Sequence, residues 1–208
     1  MYSKKVVFWS SCISILLFGI AMTTLGSIAP DLKEKFLLDD IAAGTLFSIL
    51  PLGILAGSLF FGPIADKYGF GLLMAVSCIL LALGFEGIAF TSSTGLLKAF
   101  IFIFGIAGGS INGASSALVS DISDNDKTAN ISLLGVFFGI GALGMPLVLG
   151  ILRESFRFEK TVAAVGILSF LTGVLFIFIK LPQAKITQKI PIGKIKGFFS
   201  DQVLLLIA

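Results

Sequence analysis

The chain has 208 residues, of which 56% are hydrophobic and 13% charged, with a net charge of +3 and a mean hydropathy of +1.05. A soluble domain carries about a quarter charged residues, so this composition points to lipid as the solvent. There is no histidine, which removes Ser-His-Asp and Cys-His catalysis and histidine metal sites. The bases do not cluster with aromatics, so nucleic acid is not an expected partner.

Apolar runs of about 18 residues or more read as membrane-spanning helices. Six occur, at 6–29, 42–64, 71–90, 96–119, 131–152 and 161–180. Helices are expected because lipid offers no partner to an open strand edge. Lys4 and Lys5 ahead of the first run resemble a secretory leader, but Val6–Ile28 exceeds a leader's apolar core and more runs follow. It reads as a first span with its basic end in the cytoplasm. With that orientation the inner side holds nine of the fifteen bases, the sense expected from the bias of Lys and Arg. The resulting expectation is a multi-pass protein of a plasma membrane, of the bacterial inner-membrane type.

Span one carries Thr23 and Ser27, four residues apart and on one face. Thr24 reads as bonding back to its own helix. The connection at 30–40 reads as a loop, acidic overall. Between spans two and three comes "GPIADKYGF" (62–70). Gly62 permits close approach, Pro63 ends a helix ladder, and Gly69 permits a tight turn. Asp66 can cap a helix N-terminus, and Lys67 can hold a phosphate headgroup or pair with an acid such as Asp121, which ends span four. Glu86, in span three, is the only acid deep within a span, and an intramembrane acid is a candidate proton carrier by default.

Span four repeats Gly105, Gly109, Gly113 and Ala117 every fourth residue, a stripe for close helix packing. Beside it run Gly108, Asn112 and Ser116. An amide within the membrane is costly unless it faces protein or a watery cavity, so Asn112 and Ser116 are candidate solute ligands, with helix glue as the structural alternative. "GASSA" (113–117) has the look of a serine-nucleophile turn; without histidine it reads as structural. Span five is rich in glycine around Pro146 and is expected to bend or pack tightly. The cysteines, Cys12 and Cys78, lie in apolar runs and read as buried hydrophobes. No metal site or cofactor is expected.

The stretch Gly62, Asp66, Lys67, Gly69 resembles the loop signature of the major facilitator superfamily, G-x-x-x-D-(R/K)-x-G-(R/K)-(R/K), departing from it at Phe70 and Gly71. The resemblance covers the whole chain and implies an all-α integral membrane fold, two inverted three-helix repeats forming the first half of a twelve-helix transporter. It implies a six-helix unit over 1–180, a basic cytoplasmic linker over 181–197 and the start of a seventh span at 198–208. Its lysines would face anionic lipids. It also implies an inner gate at Gly62, Asp66, Lys67 and Gly69, with Asp121 in its charge relay, and a solute cavity walled by spans one and four, where Asn112 and Ser116 would contact the solute with Thr23 and Ser27 opposite. The opposing wall would come from a second six-helix half or a second copy. "GGSINGASSALVSD" in span four and the glycines of span five resemble the fucose-permease-like sugar branch. The acids of that branch fall here at Gly26 and Asn112, which carry no proton. The expected function is alternating-access transport of a small polar solute, sugars first, by symport. The alternatives are half of a drug-efflux antiporter, a non-transporting membrane scaffold and, weakest, an enzyme.

Overall fold

A computed structural model describes residues 2–123 and 126–182. Among them are six helices and no strand: α1 (Lys4–Ser27), α2 (Ala29–Phe36), α3 (Asp40–Phe90), α4 (Thr94–Ile122), α5 (Lys127–Leu152) and α6 (Phe158–Phe178). All but α2 are long and apolar enough to cross a membrane. Residues 183–208, which hold all but the first two positions of the expected linker at 181–197 and the whole segment at 198–208, lie outside the described residues.

Helix α3 merges what the sequence separates into spans two and three. Its 51 residues would extend about 76 Å if straight, more than twice the hydrocarbon thickness. It doubles back instead. Gly53 touches the backbone of Phe102 and Gly105 in α4, and Gly84 touches Phe104. A straight α3 would hold Gly53 and Gly84 about 46 Å apart, so both arms flank the same turn of α4 only because the helix reverses. The reversal is at Gly69, the one non-helical residue in α3, at φ 82° and ψ 159°. An L side chain is disfavoured there. The expected turn at 62–70 is therefore helical almost throughout, and only Gly69 breaks it.

The second departure is α2, within the expected loop at 30–40. Pro30 sits in its first turn, where no backbone donor is needed. Asp31 lies at its positive end, and Lys33 and Lys35 lie in its last turn, an order that suits the helix dipole.

Glycine sets the helix spacing. A Cβ on Gly57 would overlap the Ile106 carbonyl, and one on Gly109 the Ile54 carbonyl. Gly53 and Gly105 lie against each other one turn before these two. In the same way Gly19 of α1 meets Phe138 of α5, and Gly141 meets Leu16. The second arm of α3 packs against α6, where Gly173 receives Ala75 and Cys78. Phe85 and Phe104 cross edge to face between α3 and α4. In α5, by contrast, Gly135, Gly139 and Gly144 have no neighbour within 4 Å, and the helix continues unbroken through Pro146.

Candidate functional site

Phe18 of α1 rests on Gly108 of α4, and this contact fixes the relative depth of the candidate residues. Asn112 lies one turn further along α4, about 15 Å from the helix end. It is exposed, whereas Phe104, Gly105, Ala107 to Ile111, Ala114 and Ser115 are buried. It hydrogen bonds to no described residue. Ser116, a turn on, is half-buried. A serine hydroxyl can return its proton to the preceding turn; an exposed amide in mid-helix keeps two donors and an acceptor for an outside partner.

Thr23 and Ser27 lie on the other side of the Phe18 contact. Thr23 Oγ1 donates to the carbonyls of Gly19 and Ile20, each 3.3 Å away, and Ser27 Oγ to Thr23 O at 2.8 Å. Both donors are therefore consumed by α1, as that of Thr24 is by Ile20 O. Counted from the contact, Thr23 and Asn112 differ in depth by about 13 Å, and Ser27 and Ser116 by about 25 Å. The four residues do not close around one point. Asn112 and Ser116 form one level, and Ser27 belongs to a cavity at the α2 end of the bundle.

At the opposite end, Gly62 is buried and Asp66 half-buried in the last turns of the first arm of α3. Asp66 caps no described helix and hydrogen bonds to no described residue. The Lys67 ammonium lies 4.9 Å from the Tyr68 ring centroid. Asp121 is half-buried at the end of α4 and engaged in an interaction of its own. Glu86 faces α6, where a Cβ on Gly166 would come within 2.5 Å of Oε1; Glu86 too hydrogen bonds to no described residue. No group of three metal-ligating side chains occurs among the described residues.

The α2 end carries a charged network, built from the segment expected as an acidic loop at 30–40 and from the turn between α5 and α6. Arg153 Nη2 donates to Asp31 Oδ1 at 2.8 Å. Lys35 Nζ donates to Ala89 O at 2.7 Å and lies 3.7 Å from Glu159 Oε1, which also accepts from Arg157 at 3.0 Å. Lys33 pairs with Asp40, and its ammonium holds that exposed carboxyl below the usual range by hydrogen bonding and charge. These pairs strap α2 to the end of α3 and to the α5–α6 turn. The clue in the sequence was the alternation of acids and bases in both segments.

Comparison with known proteins places this arrangement. A family model described as Major Facilitator Superfamily matches residues 11–208. The 4-hydroxybenzoate transporter PcaK of Pseudomonas aeruginosa is 25% identical over 173 residues, 82% of this chain and 38% of that protein. Sodium-dependent glucose transporter 1 of Rattus norvegicus is 28% identical over 130 residues, 62% of this chain and 27% of that protein. Among solved structures, the xylose transporter XylE from E. coli in an inward open conformation superposes with a TM-score of 0.79 at 14% identity, over 99% of this chain and 54% of that one. The chain thus spans about half the length, or less, of the proteins it matches.

Proposed function

Because the chain belongs to the major facilitator superfamily, we propose that it forms one wall of a secondary transporter that moves a small polar solute by alternating access. In this reading α3 supplies two of six crossings, arranged as inverted three-helix repeats, with the N-terminus in the cytoplasm of a bacterial-type plasma membrane. A second six-helix half, or a second copy, supplies the facing wall, and the halves rock around a central site. The observation that carries the reading is Asn112, an amide exposed in mid-helix with its hydrogen-bonding groups unused.

The solute is placed first among sugars. Asn112 and Ser116 are neutral, and a solute hydroxyl both donates and accepts, which suits an amide with donors and an acceptor beside a serine oxygen. Similarity to a 4-hydroxybenzoate transporter favours a second reading, an aromatic carboxylate. That solute needs a cation, and the wall around Asn112 offers none. In uptake by the full-length carrier, Asn112→Ala is expected to weaken apparent solute affinity about tenfold, the worth of one well-made hydrogen bond, with unchanged thermal stability because the side chain is exposed. Unchanged affinity removes Asn112 from the site, and preference for 4-hydroxybenzoate over D-glucose moves the solute to the second reading.

Gly62, Asp66, Lys67 and Gly69 are assigned to the inner gate. Asp66 is half-buried with no hydrogen-bond partner among the described residues, so its partner is placed on the facing half. Asp66→Asn is expected to lower turnover several-fold while leaving solute affinity within about twofold. Wild-type turnover in that variant removes the gate assignment. Glu86, turned toward α6, is kept as a candidate proton carrier away from the solute wall; symport remains the proposed mode.

A further inference from the structure

We infer that the cavity at the α2 end is a second binding site, for a neutral polyhydroxylated ring of monosaccharide size. The inference rests on the sugar reading above but not on the site at Asn112. The cavity lies between the end of α1, α2, and the α5–α6 turn, and holds about 190 Å³. A closed cavity of about 150 Å³ takes a six-atom ring, so this one has room for a ring with a few substituents.

Its lining sorts into donors and acceptors. Arg153 spends one N–H on Asp31 and has others to give. Asp31 spends one lone pair and keeps the rest. Ser27 gives its proton to Thr23 O and offers only acceptance. Thr161 lines the cavity, is 7% exposed as a residue, and hydrogen bonds to no described residue, so its hydroxyl is left for a ligand. Adjacent hydroxyls of a polyol, each both donor and acceptor, match the alternation of Arg153 with Asp31 and of Thr161 with Ser27. Phe156 and Phe158 supply apolar surface for the C–H face of a ring.

Charge decides against the competing ligand. Asp31 and Arg153 neutralise each other at 2.8 Å. A carboxylate entering the cavity would meet Asp31, and a cation Arg153; a neutral ligand displaces neither. Opening at the membrane face opposite the proposed inner gate, the site would hold solute ahead of the central one.

The test is equilibrium binding of D-xylose to the purified chain in lipid nanodiscs, read by saturation-transfer NMR. Thr161→Val keeps the shape and removes the hydroxyl. Gly150→Leu narrows the cavity from a position that has open space around it. Each is expected to weaken binding at least fivefold, with Gly135→Ala, in α5 outside the cavity lining and with open space around it, within twofold of wild type. Wild-type binding in both cavity variants overturns the inference, as does binding lost through Asn112→Ala alone, which leaves the central site standing. If D-xylose binds to none of the proteins while Asn112-dependent uptake of another solute persists, the polyol assignment is overturned and the transporter reading is kept.

Discussion

Replacing Gly57 by alanine is expected to destabilise the protein by about 3 kcal/mol, the upper end for added volume in a packed interior. That corresponds to a fall of about 6–12 °C in the melting temperature of a chain this size. The new methyl would fall on the Ile106 carbonyl and on the amide nitrogen of Ser110, which are backbone atoms and cannot rotate away. Ser110 Oγ also donates to Gly57 O at 3.4 Å, so parting the helices loses that bond as well. Gly105 and Gly109 present the complementary face and should respond alike. Gly135→Ala and Gly139→Ala are the controls. Both sit in α5 with nothing within 4 Å, and alanine is the better helix former by about 0.5–1 kcal/mol, so they should be neutral or slightly stabilising. Similar losses at all these positions would mean that glycine serves α3 and α5 by flexibility and not by the closeness of approach.

This contrast also separates what the sequence could disclose from what it could not. The stripe at Gly105, Gly109 and Gly113 was readable because a four-residue period puts small residues on one helix face whatever the neighbour is. Its partners, Leu50, Gly53, Ile54 and Phe61, were not, since nothing local says which helix lies opposite. The reversal of α3 was readable in kind but not in detail. Pro63, Asp66 and Lys67 look like a loop, yet each is compatible with the end of a helix, and only the positive φ of Gly69 is decisive. Helix α2 carried its signals in plain order, Pro30 and Asp31 first, then Lys33 and Lys35, but its eight residues are too short for a hydropathy argument.

The candidate site divides along a similar line. That Asn112 needs an outside partner follows from the chemistry of an amide in a membrane helix, and the structure leaves that side chain exposed. That Thr23 and Ser27 spend their protons on α1 depends on rotamers, which the sequence does not disclose. The cavity at the α2 end was out of reach for a different reason. Asp31 and Arg153 are 122 residues apart, and each taken alone is an ordinary charge in a loop beside a span.

Lys35→Ala is expected to cost about 2 kcal/mol, or about 4–8 °C in melting temperature, whereas Lys33→Ala, two residues away, is expected to leave the melting temperature nearly unchanged because its pair is solvated. Both lysines sit in the last turn of α2 and both face an acid. Their surroundings differ. The Lys33–Asp40 pair is open, with side chains 42% and 93% exposed. Lys35 and Glu159 are 23% and 12% exposed, so water and salt screen them poorly. Lys35 also donates to Ala89 O in the last turn of α3, where the dipole favours a cation, and its ammonium lies 5.6 Å from the ring centroids of Phe36 and Phe158. Hydrogen bonds to a charged group contribute about 1.5–3 kcal/mol, and the rings add to that. Removing Lys35 also leaves Glu159, 9% exposed with Oε2 already lacking a donor, to the mostly exposed Arg157 alone. A buried charge stripped of a partner is the expensive outcome, so Lys35→Ala combined with Glu159→Gln should fall short of the sum of the single changes by about 1 kcal/mol. Because Asp31 rides on the same short helix, loosening α2 should also weaken D-xylose binding at the cavity, an effect Lys33→Ala should not share. Equal losses from the two lysines, or strict additivity with Glu159→Gln, would show that α2 is held by its apolar face, through Leu32, and not by the strap.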